Sequence, residues 1–291
     1  MKPSNLKTRI FLDSGDPQEA RDAISLLGFL DGQTTNPSLM SKNPEAQKRL
    51  QEGKRFSLEE VYSFYKGVIQ ELSGLMPEGS ISIEVYADFK TTPEEMLSQG
   101  RQMYSWIPNA HIKFPTTSAG LTAAGQAVKE GMGVNMTLCF SQEQAAAVHA
   151  ATRGAKRNQV YVSPFVGRLD DIGQDGMSLV ANIIKMYSQG DNHVEVLTAS
   201  VRTLEHLVCA LHMGSDIITA PFKVLKEWAD IGMPLPKEDY AYDAKAMMTI
   251  PYKNLDLGKN WQEFNLEHDL TTKGVEKFAL DWNALVALTF R

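Results

Sequence analysis

The sequence predicts an α/β protein built as a (β/α)8 barrel with a C-terminal extension that ends in a helix. Three observations predict it. Short apolar segments alternate with amphipathic ones, the junctions between them carry helix-starting residues, and the polar residues of several strands share one parity. Strand, capped helix, strand is the pattern of βα units and a parallel sheet. Eight such units in about 230 residues is what a barrel of this kind needs. An open doubly wound sheet is the structural competitor, but it would usually carry a glycine-rich loop after its first strand, and none is present.

In chain order the strand candidates are RIFLDS, FLDGQTTN, SISIEVYA, AHIKFP, VNMTLCF, VYVSPFV, VEVLTAS and DIITAP. Four junctions read as helix starts. Asp16-Pro17-Gln18-Glu19 offers an N-cap, proline at the first helical position and an acid at the third. Ser57 to Glu60, Thr92-Pro93-Glu94-Glu95 and Ser141 to Gln144 repeat that grammar, each placing a side chain where it can satisfy an orphan backbone N–H. Residues 1–291 read as one domain, with the barrel over about 7–231 and the extension over about 232–291. After Gly232 the chain is proline-interrupted and poorly periodic, which suits a segment wrapped over a barrel. Near the end Val275, Phe278, Ala279, Trp282, Leu285 and Val286 form an apolar helical stripe. That stripe must be buried against the barrel or against another subunit, so a homo-oligomer stays open.

Composition excludes several classes. The 291 residues are 43% hydrophobic and 22% charged, ordinary for a globular protein, and the net charge of -6 argues against nucleic-acid or anionic-membrane partners. The two cysteines, Cys139 and Cys209, fit no zinc spacing or disulfide framework and suit a reducing compartment. The first residues carry no apolar segment of the signal-peptide kind, and no stretch approaches the ~20 apolar residues of a membrane span. The expectation is a cytoplasmic protein.

Strand parity then points to chemistry. Successive residues of a strand face opposite sides. Ile81, Ile83 and Val85 oppose Ser82, Glu84 and Tyr86; Val134, Met136, Leu138 and Phe140 oppose Asn135, Thr137 and Cys139. In the seventh segment Thr198, Ser200 and Arg202 share a parity, and Lys113 shares its own with His111, opposite Ile112 and Phe114. If the apolar face meets the outer helices, the polar face points to the barrel axis.

A lysine in that position can snorkel to solvent. If it is desolvated instead, its pKa falls and its amine can attack a ketone to form an imine, which accepts electrons when an adjacent C–C bond breaks. Lys113 is the candidate nucleophile. Asp13 closes the first strand and would by itself read as a turn or cap residue. An inward Glu84 is costly unless paired or functional. Together with Thr137 these carboxylates supply the proton shuttles that Schiff-base chemistry needs. Asn36 and Asn135 can bond sugar hydroxyls, although Asn36-Pro37 also reads as turn chemistry. Arg168 and Arg202 each follow a strand near a serine and suit a phosphate monoester; a surface salt bridge is the alternative for each.

Other signals fail. DIGQDG lacks the ligand pattern of a calcium loop, with Gly173 in a ligand position and Asn182 where the closing glutamate belongs. Gly131-Met132-Gly133 lacks the third glycine of a dinucleotide fingerprint. The basic run from Lys42 to Arg55 reads as a solvated helix surface. The six histidines form no HxxxH or HxH pair, and no metal is expected.

The pieces TTNPSL, IEV, IKFPTTSAGLTAA, NMTLCFSQEQA, SPFVGRLDD and LTTKGVEKFALDW, spread from Asp13 to Trp282, closely resemble the transaldolases, Schiff-base enzymes of the pentose phosphate pathway built on a (β/α)8 barrel. The resemblance implies roles. Lys113 would form the imine, Asp13 would take the proton of the sugar hydroxyl beside the breaking bond, and Glu84 and Thr137 would handle a water. Asn36, Asn135 and Ser163 would hold a dihydroxyacetone unit, with Phe165 also at the substrate. Arg168, Ser200 and Arg202 would hold the phosphate. It implies sugar-phosphate substrates and no cofactor: the unit would pass from sedoheptulose 7-phosphate to glyceraldehyde 3-phosphate. Gln33 and Val201 depart from the commonest pattern of such enzymes, which bears on substrate preference rather than reaction. The rival within the superfamily is a free fructose 6-phosphate aldolase, whose members typically carry Gln in place of Glu84 and Tyr in place of Phe165. A barrel that binds a sugar phosphate without catalysis is the rival of another class.

Overall fold

The structure, a computed structural model, describes residues 2–287; the last four residues of the expected extension lie outside the described residues. Its strands are β1 (Arg9–Asp13), β2 (Gly32–Thr34), β3 (Ser80–Glu84), β4 (Ala110–Pro115), β5 (Gly133–Cys139), β6 (Val160–Pro164), β7 (Gln174–Asp175), β8 (Val194–Thr198), β9 (Ile217–Ala220) and β10 (Met248–Thr249). Eight of them close a barrel in the order β1-β2-β3-β4-β5-β6-β8-β9, and β9 pairs back onto β1. Every pairing is parallel, with helices between successive strands, so the chain is a (β/α)8 barrel. All eight barrel strands fall within the segments expected from sequence, extended only by Gly133 at the start of β5.

Alternation explains the core. Ile10, Leu12, Ile81, Ile83, Ile112, Phe114, Val134 and Met136 are fully buried, each contributing roughly 1.5–3 kcal/mol by leaving water. Gly100, on the helix Pro93–Tyr104, lies against Ile112 and Phe114; a Cβ there would sit 2.9 Å from the Phe114 ring. The even-numbered side chains of β4 therefore face the helices, and Lys113 faces the axis.

The helix starts form as their sequences dictate, with one change of partner. Asp16 accepts from the Gln18 N–H, and the Ser57/Glu60 and Thr92/Glu95 pairs make reciprocal capping boxes. Ser141 accepts from Gln144 N–H, but the Gln144 side chain turns elsewhere. Its Oε1 accepts from Phe140 N–H and its Nε2 donates to Leu266 O and Thr271 Oγ1, tying the end of β5 to the extension.

The parity rule holds for Ser82, Glu84, Lys113, Asn135 and Thr137 and fails in two places. Leu138 adopts the left-handed conformation (φ 59°), and the register of β5 shifts between Met136 and Cys139, so Cys139 does not continue the polar row. In β8 it is Glu195 that meets Arg9 inside the barrel, while Thr198 bonds Ser215 and joins no pocket. Ser200 nevertheless reaches the pocket because its own left-handed conformation (φ 57°) turns the chain just after the strand.

The extension wraps the barrel. Met248 and Thr249 pair with Gln174 and Asp175, and Asp175, the second acid of DIGQDG, caps the helix Gly176–Tyr187. The helix Asp269–Leu285 buries Val275, Phe278, Ala279, Trp282 and Leu285 against the barrel, and Val286 just beyond it bridges to Phe56. Thr271 Oγ1 donates to Leu138 O, and Ser38 donates to Asp281, fixing the helix across the C-terminal ends of the strands. No described helix is long and apolar enough to cross a membrane.

Candidate active site

The C-terminal end of a barrel is where loops from several strands converge on one axis. Here a cavity of about 130 Å³ is lined by Asp13, Thr34, Asn36, Lys113, Ser163, Phe165, Arg168, Ser200, Thr219 and Phe278, together with Ser38, Leu39 and Ala199. That volume suits a small polar molecule. A wider concavity of about 980 Å³ opens at the other end, around Arg9, Ser80, His111 and Tyr161. Its position at the strand starts, where barrels keep residues of structural importance, sets it apart from the chemistry.

Lys113 sits in the cavity floor, 3% exposed. Its Nζ donates to Thr35 O at 2.7 Å and lies 2.8 Å from Glu84 Oε2, a charge contact whose angle is too skewed for a good hydrogen bond. Register puts the two together: Glu84 on β3, Lys113 on β4 and Asn135 on β5 are direct neighbours. The Glu84 carboxyl is pushed above its ordinary value by burial, with the Lys113 charge opposing. Asp13, partly buried at the end of β1, is raised by burial as well, against the pull of Lys113 and a 2.7 Å hydrogen bond from Thr34 Oγ1. Two carboxylates biased toward holding protons thus flank one amine.

Among the described residues the buried Thr137 hydroxyl and Glu84 Oε2 lack a hydrogen-bond partner, and neither residue lines the cavity itself. Buried polar atoms left without partners are uncommon, which marks the two as candidates to hold a water. Asn135 Nδ2 donates to Ser82 Oγ, and Ser163 Oγ donates to Asn135 Oδ1 at 2.6 Å, a chain that orients both side chains under the cavity. Asn36 does two jobs. Its Oδ1 caps the helix Pro37–Ser41 by accepting from Leu39 N–H, which leaves its amide NH2 at the cavity wall.

The two arginines separate. Arg168 lies between the faces of Phe165 and Phe278, 5.2 Å from each ring centroid, and among the described residues no carboxylate stands within ion-pair distance of it. Burial lowers its pKa, with the neighbouring Arg202 acting in the same direction, so an anion in the cavity would be welcome there. Arg202 is exposed, outside the cavity lining, and forms a two-pronged pair with Asp171. The salt-bridge alternative therefore describes Arg202 and not Arg168.

Sequence reasoning missed Thr34, Thr219 and Phe278 as lining residues. Thr34 and Thr219 bond each other at 2.6 Å across the β1 strand end, and nothing in their local sequence marks them as polar wall. Phe278 was visible only as part of the apolar stripe; it reaches the cavity because the C-terminal helix crosses the barrel mouth. Gln33 faces away and donates to Ser14 O.

A floor lysine between two carboxylates, under hydroxyl and amide donors and one cation, at the C-terminal end of a (β/α)8 barrel, is the architecture of an aldolase-type enzyme. Comparison with known proteins narrows this. The family model described as transaldolase/fructose-6-phosphate aldolase matches residues 10–289. A probable transaldolase of Dehalococcoides mccartyi is 34% identical over 277 residues, covering 95% of this chain and 99% of that one. Those of Roseiflexus castenholzii and Alkaliphilus metalliredigens are 34% and 35% identical, covering 95% and 96% of this chain and 97% and 99% of theirs. A solved 3-hexulose-6-phosphate synthase from Salmonella typhimurium superposes with a TM-score of 0.49 at 11% identity, over 77% of this chain and 97% of that one, too loose a match to bear on function. The chain belongs to the transaldolase/fructose-6-phosphate aldolase family.

Proposed function

We propose that the protein is a transaldolase that moves a dihydroxyacetone unit from sedoheptulose 7-phosphate to glyceraldehyde 3-phosphate, giving erythrose 4-phosphate and fructose 6-phosphate, through an imine on Lys113. The observation that carries this reading is the buried contact of Lys113 Nζ with Glu84 Oε2 at 2.8 Å. Glu84 takes a proton from the lysine ammonium, and the neutral amine adds to the ketose carbonyl. Glu84 then returns a proton to the departing hydroxyl, with Thr137 Oγ1 holding the water as it leaves. Asp13 takes the proton of the hydroxyl on the carbon beyond the breaking bond. The electrons of that C–C bond pass to the iminium, releasing an aldehyde and leaving an enamine on Lys113. The enamine adds to the acceptor aldehyde, Asp13 returns its proton, and hydrolysis frees the new ketose and the amine.

Asn36, Asn135 and Ser163 hold the hydroxyls of the three-carbon unit, and Phe165 walls it. Arg168, Ser200 and Arg202 take the phosphate, Arg202 after leaving Asp171. Glu84 and Phe165 favour transfer over free aldol cleavage, since the free aldolases typically carry Gln and Tyr there. Borohydride reduction in the presence of fructose 6-phosphate should attach a three-carbon adduct to the peptide bearing Lys113. An unlabelled Lys113 in an active preparation rules the mechanism out. Erythrose 4-phosphate should be needed as acceptor for turnover of fructose 6-phosphate; rapid release of free dihydroxyacetone without it makes the protein an aldolase instead.

A further inference from the structure

Away from the cavity, one cluster of ligating side chains is left unexplained by aldol chemistry. His149, on the helix Gln142–Ala151, and Asp191 and His193, in the turn leading into β8, bring one ligand atom each to within 4.8 Å of one another. Among the described residues they form the one group of three such side chains so arranged. The site lies at the strand-start end of the barrel, opposite Lys113.

The hydrogen bonds of these side chains make the cluster unusual. His149 is 7% exposed, yet among the described residues neither ring nitrogen has a hydrogen-bond partner, a cost few native side chains carry. Its Nε2 stands 3.3 Å from Asp191 Oδ1 without the alignment of a hydrogen bond. His193 is constrained from the other side. Thr152 Oγ1 donates its single hydrogen to Val148 O at 2.8 Å, so in its 3.0 Å contact with His193 Nε2 it can only accept. Nε2 therefore carries the ring hydrogen, and the lone pair of a neutral His193 sits on Nδ1, facing Asp191 Oδ1 at close range. A proton on that nitrogen pairs His193 with Asp191, but it leaves His149 without a partner, whereas one cation serves all three side chains.

We propose that His149 Nε2, Asp191 Oδ1 and His193 Nδ1 form a binding site for a divalent d-block cation of the zinc type. Two imidazoles and one carboxylate suit such an ion, whereas calcium and magnesium favour oxygen-rich sets. Tetrahedral coordination at roughly 2.0–2.2 Å requires ligand atoms about 3.3 Å apart, the separation that His149 Nε2 and Asp191 Oδ1 already have. Asp191 is exposed and can swing outward by the small distance that its contact with His193 needs. Thr152 supplies the outer hydrogen bond that fixes the imidazole tautomer of a ligating histidine. Gly190 keeps the approach clear: a Cβ there would lie 2.8 Å from His149 Nε2. The exposed side chain of Asp191 gives the ion its entry path. Bound there, it joins the helix Gln142–Ala151 to the turn before β8, next to the segment of the extension that Arg153 holds through Leu257 O.

The test uses the full chain, stripped with a chelator and titrated with Zn2+ against a chromophoric competitor. The wild type should take up one Zn2+ per chain that Asp191→Asn and His149→Gln do not, with Tm raised by about 5 °C at a hundredfold excess over Kd. In histidine-detected NMR of the wild type, Zn2+ should shift the His149 and His193 ring nitrogens first, and Co2+ should give a tetrahedral visible spectrum. Ketose-transfer rate should change less than twofold on loading, since Lys113 lies at the other end. Equal Zn2+ uptake by wild type and both variants, or ring signals of His149 and His193 that do not move, overturns the assignment.

Discussion

Tyr65 and Thr35 share a buried hydrogen bond of 2.7 Å between their hydroxyls, and the same Thr35 supplies the carbonyl that holds the Lys113 amine. Thr35 Oγ1 donates to Ser82 O, so Tyr65 is the donor in their contact. The Tyr65 hydroxyl in turn accepts from Glu84 N–H at 3.0 Å. One phenol, from the helix Leu58–Leu75, thus ties together the backbone on both sides of the lysine. Tyr65→Phe leaves the buried Glu84 N–H without its acceptor, which costs about 1–3 kcal/mol. The denaturation midpoint should fall accordingly, and kcat should fall with KM little changed, because the amine loses orientation rather than substrate contacts.

Glu84→Gln removes the proton acceptor while keeping size and shape. Imine formation should slow by ~10²- to 10⁴-fold, read as the rate at which borohydride traps a three-carbon adduct. Burial holds the Glu84 carboxyl above the ordinary 4.5. The wild-type rate, which needs the ionised form, should therefore rise with pH along a limb displaced upward from that value. The limb should be absent in the variant. A variant that forms adduct at the wild-type rate removes Glu84 from the proton path.

The two arginines should differ in consequence. Arg168 faces the cavity with no carboxylate partner among the described residues, so Arg168→Ala should raise KM for phosphorylated ketoses about tenfold to a hundredfold, the worth of one charge-assisted hydrogen bond. Arg202 must first leave Asp171, and its replacement by alanine should raise KM less. Asp171→Asn should lower KM by a factor of about two to five, since an exposed ion pair holds Arg202 only weakly. Steady-state kinetics with phosphorylated and unphosphorylated ketoses checks all three.

His111 lends the fold a pH dependence at its other end. Its ring stacks on Tyr161 at 4.1 Å and bonds Ser80 Oγ and Asn158 O, and burial pulls its pKa down from 6.5 to about 4, with Arg9 acting in the same direction. A base whose folded pKa is depressed contributes stability that is complete above the unfolded value and lost as pH falls through the folded one. Tm should drop between pH 6.5 and 4, and His111→Gln should flatten that slope. The ring edges an open concavity, so solvent softens the effect to about 1 kcal/mol. Parallel melting curves of wild type and variant measure it.

The barrel was legible because its signals are local. A strand writes period two and a cap writes one polar residue beside its helix, so all eight strands and the Asp16, Ser57 and Thr92 starts could be read directly. The inward direction of Lys113, Glu84 and Asn135 followed from the same alternation. Thr198 escaped that reasoning because Glu195, of the opposite parity, holds the inward row of β8, and Ser200 reaches the cavity only through a left-handed conformation that no residue type signals reliably.

The sequence by itself determined which segments become strands and helices and which way most strand side chains face, because those are properties of a few consecutive residues. Only the tertiary structure decided which of the two arginines faces the cavity, that Phe278 walls it, and that His149 meets Asp191 and His193. Each of those contacts joins residues remote in the chain, through the closure of the barrel and the packing of the extension over it. No local preference encodes the position of such a partner.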